Sequence, residues 1–254
     1  MTDVLKVGPH RHINGDSTKA EFYEKVMEGK KAKMLYADPP YCLLVRRNKK
    51  TGKLRDPKAA KINHEAVKRY ENVREYRRFT EDWMGAATKH MADDGVLCIW
   101  INFLGKEPIK STAKKLGYEH FYGEFTWAKL TKEGSGNEVI ARIYEVCLIF
   151  SKVPLKQPGL NELPIPWTVL TKYDEEGEAG RWENHPNHKP FSSLEPLIRA
   201  YTKVGDRILD PFTGSGSTPA ATIQLGREIS GIELRPHWAK TSQNRIKVLH
   251  EENS

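Results

Sequence analysis

Two short stretches, Asp38-Pro39-Pro40-Tyr41 and Asp210-Pro211-Phe212-Thr213-Gly214-Ser215-Gly216, constrain the fold of this chain more than any other part of it. Each follows an apolar run that reads as a buried strand, Met34-Leu35-Tyr36-Ala37 before the first and Arg207-Ile208-Leu209 before the second. Both motifs therefore belong at strand ends. In open α/β sheets that edge is where ligands bind, and parallel neighbours can bring together residues far apart in sequence. The pair predicts a mostly parallel sheet with the two motifs facing one site.

The remaining periodicity fits such a sheet. A short β-like opening ends at His12 to Ser17, followed by a helix from about Thr18 to Met27. The spacing of Tyr76, Phe79, Trp83 and Ala87 predicts an amphipathic helix to about Met91, stopped by Asp93-Asp94-Gly95, with Val96 to Ile101 as a buried strand. A helix around Glu107 to Leu116 is capped by Gly117 and leads to strands near Glu124–Trp127 and Glu145–Phe150, neighbours in the sheet. Between Ser151 and Asn184 prolines and an acidic, glycine-bearing run break the pattern, so residues 151–184 read as an insertion or long loop. Helices at Ser192–Tyr201, Thr218–Leu225 and Trp238–Leu249 and strands at Arg207–Leu209 and Glu228–Ile232 complete the chain.

With 254 residues and 38% hydrophobic content, one α/β domain with insertions (residues 1–254) accounts for the whole sequence. The apolar runs are strand-sized, far short of the roughly 20 residues a membrane span needs. Met1-Thr2-Asp3-Val4 lacks the basic and apolar segments of an export signal, which makes the cytoplasm the expected location. Cys42, Cys98 and Cys147 have no CxxC spacing and read as reduced thiols. None follows a proline, which disfavours the nucleophilic-cysteine chemistry of carbon-5 cytosine methylation. His185 and His188 stand three apart with no cysteine or third histidine beside them, so no metal site is expected.

The net charge of +8 is unevenly placed: Leu43 to Arg78 holds thirteen Lys and Arg against four acids, so the rest of the chain is close to neutral. A charge run is usually a solvated face. This one directly follows Tyr41, with Asn48, Gly52 and Pro57 marking a loop, and residues 43–72 are therefore expected to contact phosphates through Arg46, Arg47, Lys49, Lys50, Lys53 and Arg55.

The glycine stretch has neither the third glycine of a dinucleotide fingerprint, where this chain has Pro219, nor the Gly-Lys pair of a phosphate loop. Strand, glycine turn and helix start nonetheless bring backbone amides close to a ligand, and Glu233 ends the next strand where it can accept from a ribose diol. That unit implies an adenosine-containing ligand.

His185-Pro186-Asn187-His188-Lys189-Pro190, Leu209 to Ser217, and Leu225-Gly226-Arg227 followed by Gly231-Ile232-Glu233 resemble, in order, the HPxxKP, LDPFxGSGT and LGR…GIE segments of the β-class DNA amino-methyltransferases. Asp38-Pro39-Pro40-Tyr41 precedes the glycine loop as in that class, and Ser217 for the commoner threonine keeps a hydroxyl. The resemblance implies a doubly wound, mostly parallel seven-stranded Rossmann-like sheet in circularly permuted motif order, with residues 151–184 as a target-recognition insertion. It implies S-adenosylmethionine as cofactor, held by Asp16, Asp38, Lys189, Asp210, Phe212, Gly214, Ser215, Gly216, Ser217 and Glu233, with Gly15-Asp16 near the adenine and Lys189 contacting the cofactor carboxylate or starting a helix. Double-stranded DNA is the implied partner, a homodimer is an expectation from the family's habit, and association with restriction-modification is implied in the same way.

An exocyclic base amine is a poor nucleophile because its lone pair is delocalised into the ring. The Asp38 carboxylate and the Pro39 carbonyl can accept its hydrogens and localise the lone pair, Pro39 and Pro40 fix the carbonyl direction, and Tyr41 offers a face for a base swung out of the helix. Transfer would be direct. In the resembled class an Asp in the first position suits adenine N6 and a Ser is commoner for cytosine N4. Alternatives are cytosine-N4 methylation, methylation of RNA adenine, and a catalytically silent DNA-binding subunit.

Overall fold

The computed structural model describes residues 3–41, 73–102, 105–130, 144–155, 168–172, 177–185 and 187–253. The stretch expected to contact phosphates, with Arg46, Arg47, Lys49, Lys50, Lys53 and Arg55, lies outside them, as do Cys42 and part of 151–184.

The chain order among the described residues is β1 (Leu5–Val7), β2 (His10–Asn14), α1 (Ala20–Met27), β3 (Ala32–Ala37), α2 (Val73–Thr88), β4 (Met91–Ile101), α3 (Lys106–Lys115), β5 (His120–Leu130) and β6 (Tyr144–Ser151). It continues with β7 (Thr168–Lys172), α4 (Glu178–Arg181), α5 (Phe191–Tyr201), β8 (Arg207–Asp210), α6 (Ser217–Gln224), β9 (Glu228–Glu233) and α7 (Pro236–Glu252). All strands join one sheet in the order β1-β2-β9-β8-β3-β4-β6-β5-β7. Only β1 and β6 run against the others. Among the described residues the sheet has nine strands rather than seven because a short strand is added at each edge. β1 pairs with β2, and β7 forms within the Pro-rich stretch that reads as a loop in the sequence.

Strand residues alternate between two cores. Leu35, Ala37, Leu97, Ile99, Ile101, Leu148 and Phe150 face the side covered by Tyr23, Tyr76, Trp83 and Ile109 of α1, α2 and α3. Met34, Tyr36, Cys98, Trp100, Cys147 and Ile149 face Leu194, Ile198, Ala221 and Ile246 of α5, α6 and α7. A strand buried on both faces needs apolar residues at every position, which is why these runs lack the polar alternation of a half-exposed strand. Cys98 and Cys147 are buried free thiols.

The helix predicted to run to Met91 stops at Thr88, and Met91 already pairs with Ala32. Pairing then jumps from Ala32↔Met91 to Met34↔Val96, so Asp93-Asp94-Gly95 sit in a bulge of β4 instead of closing the helix. The far end of α7 returns to β1 and β2: the His250 ring stands edge-on to His10 at 5.4 Å, and a Cβ on Gly8 would lie 2.5 Å from His250 Cε1.

Candidate active site

β2, β9, β8 and β3 lie side by side and parallel, so their carboxyl ends open on one edge. There Asp16, Glu233, the Phe212–Ser217 loop and Asp38 border a cavity of about 150 Å³. Leu35 pairs with Leu209, so the chain register brings Asp38 and Phe212, each three residues further on, to neighbouring positions. The two motifs are thus juxtaposed by the order of strands alone.

The half of the cavity around the glycine loop, where the sequence leads one to expect a cofactor, is built mainly from backbone. Gly214 and Gly216 have φ of +51° and +90°, in the left-handed region that other residues rarely enter. Glu233 accepts from Gly214 N at 2.9 Å through one carboxylate oxygen and from Arg235 N at 2.9 Å through the other, leaving lone pairs for a ligand. Burial raises its pKa against those two N–H bonds. The end of β2 is tied to the end of β9, since Asn14 Nδ2 donates to the Glu233 and Leu234 carbonyls and Gly15 N to the Glu233 carbonyl. This places Asp16 on the cavity wall, with Oδ1 accepting from Thr18 N and Oγ1. Beneath the loop, His12 Nε2 bonds Thr213 Oγ1 at 2.8 Å, and burial drops the imidazole pKa to about 3, so it is neutral. Gly231 is required at that contact, because a Cβ there would be 2.7 Å from both His12 Cδ2 and Thr213 Cγ2.

Phe212, Gly214, Ser215 and Ser217 line the cavity, whereas Asp210 and Gly216 stand behind the loop. Asp210 is buried and accepts from Phe212 N at 2.8 Å; its carboxyl is pushed up to about 8 by burial, against the bonds from Phe212 and Thr218. It braces the turn. Gly216 packs on α7, where a Cβ would meet Ser242 Oγ at 3.1 Å.

The half around Asp38, where the sequence leads one to expect the target, is made of charged side chains. Lys189, immediately before α5 and 4% exposed, donates to Asp38 Oδ2 at 2.7 Å and to Glu145 Oε2 at 2.8 Å. The Tyr41 hydroxyl donates to the same Glu145 oxygen at 2.8 Å. The ammonium rests 4.9 Å from the Trp100 ring centroid and 5.7 Å from that of Trp127. Burial would lower the Lys189 pKa, but the two carboxylates overcome it and the net shift is upward, so the lysine stays charged. Burial raises Asp38, Lys189 opposes this, and Glu145 adds to it. Asp38 Oδ1 is buried with no hydrogen-bond partner among the described residues. A free acceptor in that position costs stability unless a ligand donor meets it. Pro40 borders the cavity with Asp38, and Pro39 is buried behind it.

Of the expected residues, the structure brings Asp16, Asp38, Pro40, Lys189, Phe212, Gly214, Ser215, Ser217 and Glu233 to one cavity. Lys189 lies just ahead of Pro190, the N-cap of α5, and pairs with Asp38, a bond no local pattern announces. Phe79, read as core, is 8% exposed yet reaches the cavity and meets Phe212 at 5.9 Å between centroids. His185 forms wall: its ring is edge-on to Trp238 at 4.5 Å, and burial lowers its pKa to about 4. Glu145 and Trp238 were given no role by the sequence; the HPNHKP segment was the available signal for what surrounds His185, and none existed for Glu145. Among the described residues no cluster of three or more His, Cys, Asp or Glu could hold a metal ion, and no helix is long and apolar enough to cross a membrane.

Known proteins match this arrangement at several levels. The putative methylase YubD of Escherichia coli K12 is 39% identical over 93 residues, 37% of this chain and 38% of YubD. The DNA adenine methyltransferase YhdJ of the same organism is 42% identical over 67 residues, 26% of this chain and 23% of YhdJ. The chain thus spans less than two fifths of the length of these curated relatives. Among solved structures, the M1.HpyAVI–SAM complex superposes with a TM-score of 0.65 at 19% identity, covering 92% of this chain and 98% of that one. The cytosine-N4-specific PvuII DNA methyltransferase gives 0.66 at 16% identity, with 96% and 92% covered. These establish the α/β methyltransferase fold. The N6/N4 DNA methylase family profile matches residues 32–244, most of the sequence and both halves of the cavity, and the chain belongs to that family.

Proposed function

We propose that this protein transfers a methyl group from S-adenosylmethionine to the exocyclic N6 amine of an adenine swung out of double-stranded DNA. The observation that carries this reading is the unengaged, buried Asp38 Oδ1 on the same cavity as the glycine loop and Glu233. The name of YhdJ and the S-adenosylmethionine in the M1.HpyAVI complex support the choice of base and cofactor.

The residues present fit the cofactor. Glu233 retains acceptor capacity for a ribose diol, Asp16 and the wall formed by Trp238 and Leu234 suit an adenine, and the backbone of the glycine loop borders the cavity directly. When bound, S-adenosylmethionine supplies a methyl group activated on a sulfonium. Asp38 Oδ1 accepts one hydrogen of the target amine and the Pro39 carbonyl the other, which localises the nitrogen lone pair. Tyr41, anchored by its hydroxyl, offers a ring for the extruded base, whose unstacking costs a few kcal/mol. Lys189 favours the charged form of the carboxylate against burial and fixes it without occupying Oδ1. Orientation of amine and methyl supplies much of the remaining acceleration; the carbon–sulfur bond would break as the carbon–nitrogen bond forms, a neutral thioether would leave, and the methylated amine would then lose one proton to solvent.

Arg46, Arg47, Lys49, Lys50, Lys53 and Arg55, which follow Tyr41 in sequence, are proposed as the phosphate contacts; neutralising the first four should weaken DNA binding and flatten its salt dependence. A homodimer and recognition of the target sequence by residues 151–184 belong to the same proposal. Mass spectrometry of nucleosides from unmethylated DNA and from RNA, each incubated with protein and S-adenosylmethionine, tests it. N6-methyladenine in DNA is the expected product. N4-methylcytosine, methylated RNA only, or no methylated base would each replace this reading with a named alternative.

A further inference from the structure

β6 runs against β3 and β4, so it begins at the edge where they end. Glu145, its second residue, is therefore delivered to the ligand edge by a strand that carries no recognisable motif. Its side chain is 14% exposed, and its Oε2 takes both the Lys189 ammonium and the Tyr41 hydroxyl. One carboxylate oxygen thus fixes one group bonded to Asp38 and one group expected to hold the base.

We propose that Glu145 is a positioning residue of the transfer reaction, which holds Lys189 and Tyr41 so that Asp38 presents a free oxygen to the target amine. The proposal rests on the reaction assigned above. Without Glu145 the Lys189 ammonium would keep, among the described residues, Asp38 alone as carboxylate partner and could rotate to cover both oxygens. With it, the three Nζ protons are shared between two acids, and Oδ1 remains open. The negative charge of Glu145 and the positive charge of Lys189 also act on Asp38 in opposite directions, the first raising and the second lowering its pKa, on top of the upward push of burial. The other groups facing Asp38 are Tyr41 in the turn, Asp210 at the end of β8, and the buried Tyr36 and Cys147 on β3 and β6.

The full-length protein is compared with Glu145→Gln and Lys189→Met by single-turnover methylation against pH at saturating S-adenosylmethionine, and by NMR titration of the Asp38 carboxyl carbon, which needs no turnover. Glu145→Gln should lower the transfer rate about tenfold or more, leave cofactor affinity unchanged, and move the Asp38 titration and the acid limb of the rate to lower pH. Lys189→Met should move the Asp38 titration to higher pH. Wild-type rate in Glu145→Gln, or a lost rate with the Asp38 titration unmoved, overturns the proposal, the second result being that of a merely structural ion pair. If Glu145→Gln does not fold, Glu145→Asp keeps the charge and withdraws the oxygen. It should lower the rate with little movement of the titration, and an unchanged rate overturns the proposal. A wild-type protein that methylates nothing, while the two titrations still move in opposite directions, would remove the assigned reaction and leave the Glu145–Lys189–Asp38 coupling in place.

Discussion

The two halves of the cavity solve different problems with different materials. The cofactor half consists of one loop, the ends of β2 and β9, and backbone N–H groups aimed by glycines, with Glu233 as its main charged side chain. The target half consists of side chains from four separate segments, Asp38 and Tyr41 in the turn after β3, Glu145 on β6 and Lys189 before α5. Backbone geometry suits a ligand that is the same at every turnover. A charged network suits a group that must polarise an amine, because its field can be set by burial and by neighbours.

The halves should fail differently when cut. Asp38→Ala is expected to reduce transfer by about 10²–10³-fold or more while cofactor affinity, read by calorimetry, stays within a few-fold of wild type. The comparison would collapse if the cofactor were lost with Asp38. Conversely, Glu233→Ala should weaken cofactor binding about 10- to 100-fold, since it removes charged hydrogen bonds worth about 1.5–3 kcal/mol and strands the Gly214 N–H. A Glu233→Ala protein with normal affinity and lost turnover would move Glu233 to the other half.

Two smaller effects sharpen the distinction. Gly231→Ala forces a Cβ against His12 and Thr213, and is expected to cost about 1–3 kcal/mol of stability, seen as a lower melting temperature with the Asp38 titration unchanged. Asp210 sits at the seam. Its folded pKa of about 8 lies above the unfolded carboxylate value of about 3.9, so the native state holds the extra proton between these limits. The stability associated with this group is complete below about pH 4 and is lost as pH rises to about 8. Asp210→Asn, which keeps an acceptor for Phe212 N, should remove that part of the slope in urea unfolding at pH 5 and pH 8; an unaltered slope would mean that Asp210 is ionised in the folded protein.

The same contrast explains what the sequence revealed. Asp38, the glycine loop and Glu233 could be placed because each ends an apolar strand and the functional group lies within a few residues of that strand. The helices α5, α6 and α7 and the strands around the loop were likewise legible from local apolar spacing. Glu145 was not, because its role depends on Lys189 and Tyr41, 44 and 104 residues away, and on β6 running in reverse. β7 was hidden among prolines and exists by pairing with β5, and the β4 bulge depends on its fit to β3. Such pairings are written in no single window of sequence.

The meeting of His250 with Gly8 and His10 has a consequence for how the gene for such a fold can be rearranged. A short linker there would join the two regions of chain, and a new opening could be made in the exposed Lys203–Gly205 turn between α5 and β8. The product would read the glycine loop first and Asp38-Pro39-Pro40-Tyr41 second, yet every strand would keep its neighbours. A recombination event at the level of DNA could therefore exchange the order of the two halves while the protein's edge of four strand ends stayed as it is.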